Sequence, residues 1–158
     1  MQIFLYLVVT ALIVGADQIT KYLTVANIAL GQDVEWIPGV MGLTYVQNTG
    51  AAFSSFEGMQ WLFALIFLTI TVAIVWEYRH QSLKLNPLEW WCVVAVYAGG
   101  LGNMIDRVWL GYVVDMLETK FIRFPVFNVA DCFITCGCIL LMISVVLFNK
   151  EFGKDQKK

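Results

Sequence analysis

Four aspartates, Asp17, Asp106, Asp115 and Asp131, stand in or beside long apolar stretches, accompanied by two cations, Lys21 and Arg107. Ionisable side chains are costly in lipid and by default mark a functional site. Their spacing groups them: Asp17 and Lys21 at i, i+4, then Asn103, Asp106 and Arg107 at i, i+3, i+4, then Asn128 and Asp131 at i, i+3. Each group occupies one face of a helix. If each cation holds one carboxylate, two acids are left over. Asp17 and Asp106 share their helical clusters with Lys21 and Arg107, which favours them as the structural partners and leaves Asp115 and Asp131. Two neighbouring carboxylates cannot both ionise easily, so they share a proton, and one then serves as base while the other serves as acid. In amide hydrolysis the ionised member deprotonates a water that attacks the carbonyl, and the protonated member donates to the carbonyl oxygen. Plainer roles stand beside this one: interhelical ion pairing for Asp17, Lys21, Asp106 and Arg107, a solvated loop acid for Asp115, and a helix N-terminal acid favoured by the macrodipole for Asp131.

Other chemistries have little material. The only histidine, His80, sits in a short polar stretch, which removes His-based zinc sites and leaves no partner for a Ser-His-Asp triad. Cys92, Cys132, Cys136 and Cys138 fall within or at the edge of apolar runs, where a thiol packs as a small apolar group. We expect no metal and no cofactor. A net charge of −2 gives no reason to expect a nucleic-acid partner.

The elements that must position these residues follow from composition. Of 158 residues, 59% are hydrophobic and 14% charged, where a soluble domain carries about a quarter charged. Residues 1–16, 58–76, 90–105 and 132–149 carry no charged side chain. Each approaches the ~20 apolar residues that cross a ~30 Å hydrocarbon core as a helix. The sequence predicts an all-α membrane protein with four transmembrane helices, over about residues 3–23, 59–76, 88–106 and 130–148, in a single domain, residues 1–158. The N-terminal run lacks a preceding basic residue and continues through Asp17-Gln18-Ile19-Thr20-Lys21, so it reads as a retained span and not a cleaved leader.

Orientation follows the basic residues. The segment 24–58 has Asp33, Glu35 and Glu57 but no Lys or Arg, whereas 77–89 carries Arg79 and Lys84, and the tail carries Lys150, Lys154, Lys157 and Lys158. The positive-inside rule places both termini in the cytoplasm and segment 24–58 outside, although Lys120 and Arg123 would then also lie outside. At ~1.5 Å rise per residue, Asp17 and Lys21 lie roughly 21 and 27 Å across, and Asn103 and Asp106 roughly 22 and 27 Å. Asp131, near the start of the inward-running last span, shares that outer layer. Gly99, Gly100 and Gly102 would allow helices to approach closely there. Val34-Glu35-Trp36-Ile37-Pro38-Gly39 and Leu43-Thr44-Tyr45-Val46 read as two short strands around a turn, a small β-type sheet on the membrane surface. After Gly111 the chain returns through Tyr112-Val113-Val114-Asp115, bringing one more carboxylate to this layer.

At these residues the chain resembles the lipoprotein signal peptidases, also called signal peptidase II. The resemblance runs from Asp17 to Asp131 through Asp17-Gln18-Ile19-Thr20-Lys21, Asn48-Thr49-Gly50-Ala51-Ala52-Phe53, Gly102-Asn103-Met104-Ile105-Asp106-Arg107, Val113-Val114-Asp115 and Phe127-Asn128-Val129-Ala130-Asp131. Met116 stands where the family often has Phe, and Cys132 where it often has Ser; neither alters an ionisable group. The resemblance implies an aspartic endopeptidase of the bacterial plasma membrane with Asp115 and Asp131 as its catalytic dyad. It implies a prolipoprotein substrate whose cysteine already carries a diacylglyceryl thioether, cleaved just before that cysteine, and sensitivity to globomycin, which occupies the dyad. By the same resemblance Asn48, Gly50, Asn103, Arg107 and Asn128 line the site, and Asp17, Lys21 and Asp106 shape it. Membrane lipids are the remaining partner.

Three rivals use the same residues. A proton-coupled carrier would place Asp and Arg in its spans, but its polar groups would gather at the midplane and its halves would repeat. An assembly factor could bind partner helices through the polar layer. A Ser-Lys peptidase could pair Ser54 or Ser55 with Lys21.

Overall fold

The computed structural model describes residues 1–50 and 58–148; Ala51, Ala52, Phe53, Ser54, Ser55 and the lysines of the tail lie outside the described residues. Among the described residues four long helices, α1 (Gln2–Asn27), α2 (Gln60–His80), α3 (Pro87–Trp109) and α4 (Val129–Phe148), and three strands, β1 (Asp33–Ile37), β2 (Met41–Asn48) and β3 (Val113–Thr119), run in the order α1-β1-β2-α2-α3-β3-α4. The helices fall where the charge-free intervals put them; α1 continues well past Asp17 to Asn27, and the other three differ from their intervals by a few residues at the ends.

Three of them, α1, α2 and α4, are long and apolar enough to cross a membrane. α3 is not among these, because Glu89, Asn103, Asp106 and Arg107 dilute its apolar character; it has the most buried positions of the four helices instead. Its start is well defined. Pro87 opens the first turn, and Asn86 and Glu89 form a reciprocal capping box, which satisfies two backbone donors that have no partner inside the helix.

The polarity of α1 is inside out. Its buried positions are Ile13, Asp17, Lys21 and Thr24, one stripe at helical spacing. Phe4, Leu7, Leu12, Ile19 and Tyr22 are exposed around it. In water this helix would not fold with its carboxylate inward and its leucines outward. Lipid as the solvent requires that arrangement, since the apolar surface needs no cover and the charges do.

α3 is the hub of the bundle, touching α1, α2, α4 and β3. Small residues permit its close approach. A Cβ on Gly99 would lie 2.5 Å from the Ala130 carbonyl oxygen, and one on Gly102 would lie 2.6 Å from Asp17 Oδ2. From the other side, a Cβ on Gly137 of α4 would meet Val96 at 2.7 Å. The space that side chains would occupy is filled by the neighbouring helix and by the Asp17 carboxylate.

The strands form one antiparallel sheet in the order β1-β2-β3. Pro38 and Gly39 turn β1 into β2, with Gly39 at φ +68, in the left-handed region that glycine adopts without strain. The expected two-stranded piece is therefore present, but it is extended by a strand that the sequence pattern did not reveal. Val113 to Met116 are buried without alternation, so β3 carries no period-two signature. β3 is tied to its neighbours at two points: Val114 N–H donates to Asp106 Oδ2 of α3 at 3.0 Å, and Leu117 and Phe127, the latter just before α4, exchange backbone hydrogen bonds at 2.7 and 3.0 Å. That second tie brings β3 alongside the start of α4. All four cysteines are free thiols, Cys92 buried and Cys136 exposed.

Gly99→Ala should lower the melting temperature in detergent, because a backbone carbonyl cannot give way cheaply; overpacking of this kind costs about 1–3 kcal/mol. Gly15→Ala, with nothing within 4 Å of its added Cβ, should cause no loss. Thermal unfolding of the two variants in one detergent checks the comparison, and equal melting temperatures would contradict the close α3–α4 packing.

Candidate active site

At one end of the bundle α1, α3, α4 and the sheet bring their polar residues together. Lys21 Nζ, almost fully buried, lies 2.8 Å from Asp17 Oδ2 and 3.0 Å from Asp106 Oδ2. Its third contact is to Asn103 Oδ1 at 2.9 Å. An ammonium has three N–H donors, and all three are used. Gln18 closes the cluster, its Nε2 reaching Asp17 Oδ2 at 3.2 Å, the Gly102 carbonyl at 3.1 Å and Asp106 Oδ1 at 2.9 Å. Gln18 has no role in the sequence reading. Its signals there are its place in the Asp17-Gln18-Ile19-Thr20-Lys21 block and an amide standing next to Asp17 within an apolar helix.

One sequence expectation needs correction here. Asp106 is held by Lys21 and not by Arg107 of its own cluster. The i, i+1 relation of Asp106 and Arg107 points the two side chains in different directions around α3. Arg107 donates to the Gly50 carbonyl at 2.9 Å and to the Asn103 carbonyl at 3.4 Å, with its guanidinium 4.3 Å from the centroid of the Phe63 ring. Its Nε is buried and has no hydrogen-bond partner among the described residues. So one lysine neutralises two acids while the arginine pins the chain at Gly50. The remainder is unchanged: among the described residues Asp115 and Asp131 have no cation in ion-pair contact.

Both leftover carboxylates are held by amides. Asn48 Nδ2 donates to Asp115 Oδ2 at 2.9 Å, and Asn128 Nδ2 donates to Asp115 Oδ1 at 2.6 Å. Asn103 Nδ2 donates to Asp131 Oδ1 at 2.8 Å, and the Asn128 backbone N–H donates to Asp131 Oδ2 at 3.2 Å. Asn128 thus touches both acids. Its own Oδ1 accepts from the Asp131 backbone N–H at 2.9 Å, so Asn128 and Asp131 also cap α4 reciprocally. The helix-terminal role weighed for Asp131 is present in this cap. Asn48 is held in turn, its Oδ1 accepting from the Gly50 N–H at 3.0 Å. Local structure explains the placement: Asp115 pairs with Val46 across the β2–β3 ladder, two residues from Asn48, and the Leu117–Phe127 tie sets β3 beside Asn128.

A cavity of about 900 Å³ opens onto this pair. Asn48, Asn103, Arg107, Asp115 and Asp131 line its polar end, and Phe63, Ile66, Phe67 and Ile70 of α2 with Met104 and Ile134 extend it as an apolar wall. The aromatic and aliphatic face of α2 is a second feature that the charge-based reading passed over. Asp115, on the strand, has its pKa pushed up to about 6. Burial is the largest cause and the charge of Asp131 adds to it, while Asn48, Asn128 and Lys21 act in the opposite direction. Among the described residues no group of three metal-ligating side chains converges.

The fold and site thus describe a helical membrane protein with two amide-held carboxylates at the mouth of a largely apolar cavity. Residues 9–147 match the family model described as Signal peptidase (SPase) II, and the chain belongs to that family. A lipoprotein signal peptidase of Enterococcus faecalis is 46% identical over 148 residues, covering 92% of this chain and 89% of that protein. One from Lactococcus lactis is 42% identical and covers 96% and 99% of the two chains. A solved structure described as a bacterial membrane enzyme, determined by the in meso method at 2.3 Å, superposes with a TM-score of 0.86 at 32% identity, covering 99% of this chain and 94% of its own. A second of the same description at 1.9 Å gives 0.81, also at 32% identity, covering 92% and 95%. The chain is therefore a membrane-embedded member of a peptidase family.

The raised pKa of Asp115 has a stability consequence. Between its unfolded value of 3.8 and its folded value of about 6, the folded state holds the proton more tightly than the unfolded chain. The stability this contributes is complete below the unfolded pKa and lost as pH rises through about 6, after which the buried carboxylate costs about 3 kcal/mol relative to acid pH. Asp115→Asn removes that cost and forfeits about 1 kcal/mol where its new N–H₂ meets a donor. The melting temperature of Asp115→Asn relative to the parent should rise from pH 4.5 to pH 8, and a fall over that range would contradict the assignment.

Proposed function

We propose that this protein is an intramembrane aspartic endopeptidase that removes the signal peptide from diacylglyceryl-modified prolipoproteins by cutting just before the lipidated cysteine. One observation carries the reading: Asp115 and Asp131, the two acids of the polar layer that no cation contacts, are both held by Asn128 and face one cavity. With one proton between them, the ionised carboxylate takes a proton from a water, the hydroxide adds to the scissile carbonyl, and the protonated partner donates to the developing oxyanion. Collapse of the tetrahedral adduct breaks the C–N bond, and a proton passes to the leaving amine. The apolar wall from Phe63 to Ile70 suits a substrate whose signal helix and acyl chains are already in lipid. Globomycin-type inhibitors would compete for the same cavity.

In this reading α3 is the fourth span, both termini are cytoplasmic, and the sheet and the dyad lie at the outer face of the bacterial plasma membrane. Asp17, Lys21 and Asp106 shape the site, while Asn48, Gly50, Asn103, Arg107 and Asn128 hold or line it. The Ser-Lys alternative is disfavoured by Lys21, whose three N–H groups already have acceptors and which therefore offers no lone pair to a serine hydroxyl; Ser54 and Ser55 themselves lie outside the described residues.

Purified protein in detergent should cleave a diacylglyceryl-modified prolipoprotein peptide. Asp115→Asn and Asp131→Asn should each abolish cleavage while the protein still folds, and the double variant should be no worse than either single one, since groups acting as a unit are non-additive. Asp17→Asn and Asp106→Asn should lose stability, about 3–5 kcal/mol for a broken buried pair, with turnover reduced and not absent. Substantial cleavage by a stable Asp115→Asn protein would overturn the dyad. For topology, a cysteine placed at Glu35 after removal of the native cysteines should react with an impermeant thiol reagent in intact cells; reaction only after permeabilisation would invert the orientation.

A further inference from the structure

Lys21 does more than neutralise Asp17 and Asp106. Its third N–H goes to Asn103 Oδ1 at 2.9 Å, and a lysine ammonium can only donate. The oxygen of the Asn103 amide must therefore face Lys21, which leaves Nδ2 facing the opposite way, 2.8 Å from Asp131 Oδ1. The same Oδ1 has a second lone pair, and Asn128 Nδ2 donates to it at 3.1 Å while also reaching Asp115 Oδ1 at 2.6 Å. The Asn128 amide cannot turn over either, because its own oxygen accepts from the Asp131 backbone N–H. Asn103 and Asn128 are both buried, and the contacts of Asn103 Oδ1 to Lys21 and Asn128 lie on the buried side of the amide. A flipped Asn103 would place an oxygen against the Asp131 carboxylate and an N–H₂ against both the ammonium and the Asn128 amide, three repulsive contacts in one buried volume.

Building on the dyad proposed above, we infer that Lys21 is a positioning residue for catalysis: through its bond to Asn103 Oδ1 it fixes the one amide orientation that delivers a donor to Asp131 and supports the amide that holds Asp115. Lys21 is absent from the cavity lining and touches neither acid. It acts from a different helix, through the Asn103 side chain and beside the through-space pull of its charge on Asp115. The ion pairs to Asp17 and Asp106 hold the ammonium at the place from which this is possible, which couples the stability of the α1–α3 contact to the geometry of the reacting carboxylates.

The test is a double-mutant cycle on Lys21 and Asn103, read in kcat, KM and melting temperature on a lipidated peptide in detergent. It is run with Asp17→Asn as the background, so that removal of the lysine does not leave two buried carboxylates facing each other. Lys21→Met should lower kcat on the order of 10²-fold, the cost of a misplaced catalytic group, with KM little changed. In Asn103→Ala protein the same substitution should lower kcat by no more than about twofold, the scatter expected for independent sites, while its loss of melting temperature persists. Losses of kcat that multiply in full would overturn the inference and leave Lys21 a purely structural cation. Should Lys21→Met protein not accumulate, Asn103→Asp decides the matter. It keeps an oxygen for Lys21 and for Asn128 but turns an oxygen toward Asp131, so kcat should collapse in protein that still folds; retained kcat would overturn the inference. Asp115→Asn is assayed alongside. If it remains active, the dyad itself is wrong, an outcome distinct from failure of the Lys21 link.

Discussion

The buried ammonium of Lys21 is the interaction on which the rest of this site depends. A charge that deep in an apolar bundle persists only with compensating partners, because desolvation costs several kcal/mol per ion before any contact is made. Lys21 meets Asp17 from its own helix, and Asp106 and Asn103 from α3. The two aspartates are spent further on backbone donors: Asp17 Oδ1 accepts from the Ala130 N–H of α4 at 2.9 Å, and Asp106 Oδ2 accepts from Val114 of β3. One cation thereby draws α1, α3, α4 and the sheet to a common point. Gly102 is required at that point because the Asp17 carboxylate occupies the space its side chain would take.

The same arithmetic separates structure from chemistry. Asp17 and Asp106 are consumed in neutralising Lys21, and Arg107 is occupied with the carbonyls of Gly50 and Asn103. Among the described residues Asp115 and Asp131 receive hydrogen bonds from neutral amides alone. Amide donors leave a carboxylate without a counter-charge, whereas an ammonium supplies one. The site therefore contains two kinds of carboxylate within one hydrogen-bonded network, and Asn103 and Asn128 are the joints between them. The apolar wall of α2 completes the arrangement by extending the cavity that Asp115 and Asp131 line.

Much of this was legible in the sequence, for identifiable reasons. The helices announced themselves through charge-free intervals, since lipid tolerates few exceptions. The polar layer was legible because Asp17 with Lys21, and Asn103 with Asp106, sit at helical spacings that survive any detail of packing. The hairpin of β1 and β2 was marked by its Pro-Gly turn. β3 escaped because strand pairing in its buried stretch leaves no alternation. The partner of Asp106 is not legible, because neighbours along a helix need not be neighbours in space, and the cation that reaches it comes from α1. The amide orientations of Asn48, Asn103 and Asn128 lie beyond any sequence pattern, since they are decided by which neighbour can only donate. The Phe63 to Ile70 wall looked like an ordinary span until the cavity beside it was seen.

The account stands on Asp115 and Asp131 being an electrostatically coupled pair, and the titration of Asp115 in the two proteins that differ only at Asp131 measures this directly. With carbon-13 at the aspartate carboxyls, infrared or magnetic-resonance titration should show Asp115, identified by the loss of its signal in Asp115→Asn, releasing its proton near pH 6. In Asp131→Asn the midpoint should move down toward the ordinary carboxylate range, because the charge that helps to raise it is gone. A midpoint that stays where it was when Asp131 is neutralised would show that the two carboxylates do not sense each other, and would contradict the account.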